Sequence, residues 1–159
     1  MNDTSFYADP TNSIGYLTRI AFRAFSRALE VRTSPHGVSS GQWRFLRVLW
    51  REEGLTQREL SRRVGMREPT TVIALKSLER SGFVKRQKSN EDRRKVHVFL
   101  TDEAKALEPV LLPAVAEVNR VALEGLTEAE VGVLRKALSQ VARNLAADIN
   151  EDLPTDSAV

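Results

Sequence analysis

Residues 56–82 read TQRELSRRVGMREPTTVIALKSLERSG, and the fold is decided in this stretch. Thr56-Gln57-Arg58-Glu59 is a capping box, in which a hydroxyl and a carboxylate three residues apart each satisfy a backbone amide that a helix start leaves free. A short helix therefore begins there, turns Leu60 and Val64 inward and stops at Gly65. Arg67-Glu68-Pro69 opens the next helix with proline in its first turn, where the missing N–H has no partner to lose. Thr71, Ala74, Leu75 and Leu78 recur at the spacing of one buried stripe, and Ser81-Gly82 ends the helix. Two short helices joined by a tight glycine-containing turn form a helix-turn-helix.

Outward from this pair, Phe83-Val84-Lys85-Arg86 reads as a strand, Gln87 to Arg94 as a polar turn and Val96 to Leu100 as a returning strand. A hairpin tip carrying Lys88, Arg93, Arg94 and Lys95 has little apolar reason to exist, and its cations suit phosphates or a narrow minor groove. Upstream, a helix is predicted from Ser13 to Arg32 with Ile14, Leu17, Ala21, Ala24 and Ala28 on one stripe, and another from Ser39-Ser40 carrying Trp43, Leu46, Leu49 and Trp50. Downstream, Thr101-Asp102-Glu103 caps a fifth helix in which Pro109 and Pro113 are expected to produce a kink or a break. Thr127-Glu128-Ala129-Glu130 is a second capping box, followed by Val131, Leu134, Leu138, Val141 and Leu145 along a last helix whose tail after about Asn150 is expected to fray.

The expected architecture is mainly α with a small β-hairpin wing, in one unit over residues 1–159. Residues 38–101 form the winged helix-turn-helix lobe, and the terminal helices, residues 13–32 and 102–150, must bury their stripes elsewhere. Packing against the same helices of a second copy would do so and would present two reading heads to a two-fold symmetric DNA site.

Charge is unevenly divided. From Thr56 to Thr101 there are 12 Lys/Arg against 5 Asp/Glu, a balance of +7, which leaves 12 against 16, or −4, for the rest of the chain. Such a local excess is the footprint of a polyanionic partner, the competing reading being a basic face that is merely solvated, so charge alone does not decide. The absence of cysteine excludes disulfides, thiol catalysis and thiolate zinc sites. His36 and His97 lie outside any metal-ligand spacing, so neither a metal nor another cofactor is expected. No nucleophile, base and acid recur at a catalytic spacing, which argues against an enzyme. Short apolar runs and the acidic start Met1-Asn2-Asp3 predict neither a spanning helix nor a signal peptide, hence a cytoplasmic protein.

At this point the chain resembles the MarR family of regulators from about Ser13 to Leu145. The match is carried by Gly54-Leu55-Thr56-Gln57-Arg58-Glu59-Leu60, by Leu78-Glu79-Arg80-Ser81-Gly82-Phe83-Val84, and by Asp92-Arg93-Arg94 followed by Leu100-Thr101. The resemblance implies a homodimer that binds a palindromic operator, usually as a repressor, and is released by a small molecule, often a phenolic or aromatic acid. It makes the second helix of the motif the recognition helix, with Pro69, Thr70, Val72, Ile73 and Lys76 facing the major groove and Arg67 at its start; Val72 or Ile73 could equally be core. It makes Asp92 the carboxylate that orients Arg94 into the minor groove, beside Lys88 and Arg93. Ala104 stands where the family commonly has glycine, and Pro109 is unusual.

The resemblance also implies an effector site between the dimerisation helices and the DNA-binding lobe. Arg19 is the candidate for a bidentate carboxylate contact, with Phe22, Arg23, His36 and Trp43 supplying stacking surface, hydrogen bonds or a second charge. Solvated arginine and ordinary packed aromatics are the competing reading of these five. Two other functions stay open: a winged helix that binds a protein partner, which salt-insensitive binding would reveal, and an activator without small-molecule control.

Overall fold

The computed structural model describes Thr4 and residues 8–154. Helices α1 (Ile14–Thr33), α2 (Ser40–Arg51), α3 (Gln57–Val64), α4 (Glu68–Arg80), α5 (Asp102–Ala122) and α6 (Glu128–Asp148) are joined by strands β1 (Leu55–Thr56), β2 (Val84–Lys88) and β3 (Val96–Leu100). The strands form one antiparallel sheet in the order β1-β3-β2. Helices α2, α3 and α4 close on Leu46, Leu49, Leu60, Leu75 and Leu78, all fully buried, and the sheet adds Val84, Val98 and Leu100 to the same core.

Local chemistry explains most of these boundaries. Thr56 and Glu59 make the expected reciprocal cap at the start of α3, and Thr127 and Glu130 repeat it at α6. Accepting the Thr56 amide proton holds the Glu59 carboxyl below its usual range, and the Thr127 amide does the same for Glu130. A third box, Ser39 with Gln42, starts α2 and was not anticipated; the buried Gln42 also donates from its side chain to the hydroxyls of Ser77 and Ser81, tying α2 to the end of α4. Gly65 stops α3 with φ of 74°, a left-handed turn that any other residue would take only with strain.

Several expectations need correction. Strand β1 was not foreseen, because its two residues gain strand character only by pairing with Val98 and His97 far along the chain. Strand β2 continues past Arg86 to Lys88, which pairs with Val96, so the hairpin tip is residues 89–95. Helix α5 runs unbroken through Pro109 and Pro113. The two prolines are four residues apart and both exposed, so the carbonyls of Lys105 and Pro109 that lose their helical partners share one stripe open to solvent. At the far end, the Glu151 amide donates to the Ala146 carbonyl at 3.0 Å, and Pro154 packs against Gly65.

Hydrogen bonds fasten the lobe to α5: Trp50 Nε1 donates to the Ala104 carbonyl at 2.8 Å, the Thr101 hydroxyl to the Gly82 carbonyl at 2.7 Å and the Thr101 amide to the Phe83 carbonyl at 3.0 Å. By contrast α6 buries no residue, and α1 leaves Ile14, Leu17, Ile20, Phe22 and Phe25 exposed. No described helix is long and apolar enough to cross a membrane.

Candidate nucleic-acid interface

Helix α4 is held by one face and offers the other. Thr71, Leu75 and Leu78 are fully buried, which at 100° per residue turns Pro69, Ile73, Lys76 and Arg80 to the opposite side, all exposed. Ile73 is 69% exposed, a large apolar side chain left on a polar face, as a thymine-methyl contact requires. Thr70 is exposed on the flank of this face, whereas Val72 is half-buried on the other flank. The expected pairing of Val72 with Ile73 is thereby separated, Ile73 alone lying at the centre. Arg80 was missed, although its place four residues after Lys76 is legible in the helical period.

The wing tip is shaped by short polar side chains. The Ser89 hydroxyl accepts the amides of Glu91 and Asp92, and the Ser89 amide donates to the Lys95 carbonyl at 3.0 Å. Asp92 Oδ1 accepts the backbone amide of Arg94 at 3.0 Å, an Asx-type turn. The expected orienting contact of Asp92 is thus made to the Arg94 backbone. It sets the backbone at Arg94 and leaves the guanidinium exposed, with no carboxylate at salt-bridge distance among the described residues.

Of the cations between Thr56 and Thr101, three are neutralised internally: Arg58 by Glu68 at 3.7 Å, Arg63 by Glu52 at 2.6 Å and Arg86 by Glu79 at 2.6 Å. Among the described residues no carboxylate lies at salt-bridge distance from Arg67, Lys76 or Arg80 on and before α4, nor from Lys88, Arg93, Arg94 or Lys95 on the wing. Lys95 was passed over as a site residue because the motif ends at Arg94. An unneutralised cation set on exposed elements is what phosphate binding uses.

A cavity of about 310 Å³ separates this lobe from the terminal helices. Phe22, Phe25 and Leu29 of α1, Trp43 of α2, and Val115 and Val118 of α5 make its apolar walls, while Arg44 and Arg47 of α2 supply guanidinium groups. The Arg44 guanidinium lies 4.9 Å from the Phe22 ring centroid, with Nη1 4.0 Å from the Met66 sulfur. Of the expected effector residues, Phe22 and Trp43 line this cavity. Arg19, Arg23 and His36 do not: they are exposed, and Arg19 instead covers the ring of Tyr16 at 5.3 Å. Helical phase explains this, since Arg19 and Arg23 are four apart on one face of α1 and Phe22, Phe25 and Leu29 point to another. Arg44 and Arg47 went unnoticed because they lie on what looks like the polar side of α2. Among the described residues no cluster of His, Asp and Glu is arranged to hold a metal.

The sequence profile of the MarR family matches residues 38–96, from the start of α2 to the first residue of β3. The transcriptional regulator TtmR of Methylorubrum extorquens is 39% identical over 87 residues, a match covering 55% of this chain but only 45% of that protein. The homoprotocatechuate degradative operon repressor of Escherichia coli is 28% identical over 122 residues, covering 77% of this chain and 82% of the relative. Among solved structures, a MarR transcriptional regulator from Methanosarcina mazei superposes with a TM-score of 0.75 at 30% identity, covering 82% of this chain and 94% of its own. A MarR-family regulator from Listeria monocytogenes, solved with a 26-mer DNA, gives 0.75 at 26% identity over 86% of this chain and 91% of its own.

Proposed function

Because this chain belongs to the MarR family of DNA-binding transcriptional regulators, we propose that it acts as a homodimeric repressor whose paired α4 helices and wings grip a two-fold symmetric operator. The carrying observation is the exposed, unneutralised cation set on α4 and the wing, flanking the apolar Ile73. Arg94, Arg93 and Lys88 reach the minor groove and backbone, while Pro69, Thr70 and Ile73 meet base edges and Lys76 and Arg67 hold phosphates. Dimerisation follows from Ile14, Leu17, Leu134, Leu138 and Leu145, exposed on α1 and α6 and too many to leave in water.

The cavity above the lobe receives the effector. Its aromatic walls with two guanidinium groups favour a flat, amphipathic anion, and an aromatic or phenolic acid has both properties. The E. coli relative named for homoprotocatechuate degradation supports that class. Occupying the cavity biases α1 and α5 against α2, and thereby the spacing of the two recognition helices.

A gel-shift titration with duplex DNA flanking the chain's own gene tests the reading. Two chains per duplex are expected, with complex formation weakened by hydroxybenzoates. One chain per duplex, or no retarded species, would contradict the dimeric repressor, and a complex indifferent to the acids would remove the effector assignment.

A further inference from the structure

The inner face of the wing's sheet carries one side chain of the wrong kind. Strand alternation places Val84 and Arg86 on the same side of β2, and across the ladder they meet Leu100 and Val98, both buried. An apolar residue at 86 would continue that row. Instead the Arg86 guanidinium turns back from the tip into the motif: Nη2 donates to Glu79 Oε2 at 2.6 Å in the last turn of α4, and Nη1 to Gln57 Oε1 at 3.4 Å in the first turn of α3. The Arg86 and Glu79 side chains are only 26% and 32% exposed. An ion pair in that setting adds little net stability, because desolvation offsets most of the attraction. It does define where three elements meet.

We propose that Arg86 and Glu79 form a clamp that sets the angle of the wing against the recognition helix, so that Arg86 is a positioning residue for DNA binding and not a phosphate contact. The leverage is large. From Arg86 to the tip is about five residues at roughly 3.3 Å each, so a tilt of about 10° at the clamp displaces the tip by about 3 Å, more than a hydrogen bond tolerates. The backbone between α4 and β2 is a single turn through Ser81 and Gly82, and φ at Gly82 is 75°. The pair closes this turn from the inside, while the Thr101 hydroxyl on the Gly82 carbonyl closes it from the other strand.

The clamp rests on the reading that wing and α4 hold one duplex, and Glu79→Gln separates it from a contact role. If Arg86 bound phosphate, freeing it from Glu79 and removing a negative charge near DNA would tighten binding. The clamp predicts the opposite: Glu79→Gln and Arg86→Gln each weaken duplex binding about five-fold or more, and both lower the slope of log affinity against log salt to the same extent, because either change releases the wing's own phosphate contacts. Hydroxyl-radical protection in the minor groove is lost, while methylation protection of purine N7 in the adjacent major groove persists. The exchanged pair Glu79→Arg with Arg86→Glu restores most of the affinity. Glu79→Gln binding as tightly as the parent, or Arg86→Gln lowering the salt slope while Glu79→Gln leaves it unchanged, overturns the clamp. If Arg86→Gln fails to fold by circular dichroism, Glu79→Gln, which retains every cation, decides alone. Arg94→Ala run in parallel distinguishes the two levels. Unchanged affinity there removes the wing from the interface, whereas weakening there with none in Glu79→Gln removes only the clamp.

Discussion

The lobe and the terminal helices are built on opposite terms. Between Val38 and Leu100 the side chains of α2, α3, α4 and the sheet bury one another almost completely. Over α1, α5 and α6 the buried hydrophobic residues are only Ala104, Leu111 and Val118, all on α5, while large apolar side chains lie exposed along all three helices. The lobe therefore specifies its own structure, whereas the terminal helices leave an apolar surface uncovered. DNA contacts belong on the first kind of element, which holds them rigidly. In the proposed function, the effector takes the seam between the two, where the 310 Å³ cavity lies.

The largest expected effect breaks this contrast from the helical side. Leu138→Asp on α6 should convert the sedimenting species from dimer to monomer and, by ending the simultaneous use of two reading heads, lower DNA affinity by about 1,000-fold. The lobe's circular dichroism should be preserved. Leu75→Ala, fully buried under α4, breaks it from the other side. It should cost about 3 kcal/mol in denaturant titration, leaving the sedimentation of the folded protein unchanged.

Smaller changes sharpen the same division. Arg94→Ala removes an exposed cation with no structural partner, and should weaken duplex binding about ten-fold with no loss of thermal stability or dimerisation. Thr71→Val acts the other way. The Thr71 hydroxyl is buried with no hydrogen-bond partner, so the near-isosteric valine should stabilise the lobe by about 1 kcal/mol, read as a raised denaturant midpoint. The smallest effect is electrostatic. The Arg86 hydrogen bond holds the Glu79 carboxyl below the usual glutamate range. A depressed folded-state pKa contributes stability that is fully present above the unfolded value of about 4.3 and lost as pH falls through the folded value. Because the pair is partly exposed, that contribution should stay below about 1 kcal/mol. Comparing Glu79→Gln with the parent from pH 7 to pH 3, the difference in unfolding free energy should shrink on acidification.

What was legible in the sequence divides along the same line. Most features closed within a few residues were readable, namely the capping boxes at Thr56 and Thr127, the Gly65 stop and the inward stripe of α4, although the Ser39 box was missed. What depended on distant partners was not. Strand β1 exists only through β3, and the bond of Gln42 to Ser77 and Ser81 crosses two helices. Arg44 and Arg47 become cavity walls only once α1 and α5 are laid over α2. Of the kink or break expected in α5, the break does not occur, because the proline rule counts a lost hydrogen bond without asking which side of the helix it faces. In the wing, the acidic-x-arginine pattern names two residues but not their atoms, and Asp92 holds the Arg94 backbone while the head group stays exposed.

The most direct measurement is the salt dependence of duplex binding for the parent chain, Lys76→Ala, Arg94→Ala and their combination, followed by fluorescence anisotropy. If α4 and the wing hold the same duplex, log affinity falls steeply with log salt in the parent. Each substitution then reduces the slope by about 0.9 per phosphate contact removed, and the double variant loses the sum. A shallow slope in the parent, or slopes that neither substitution alters, would contradict the assignment of this face to DNA.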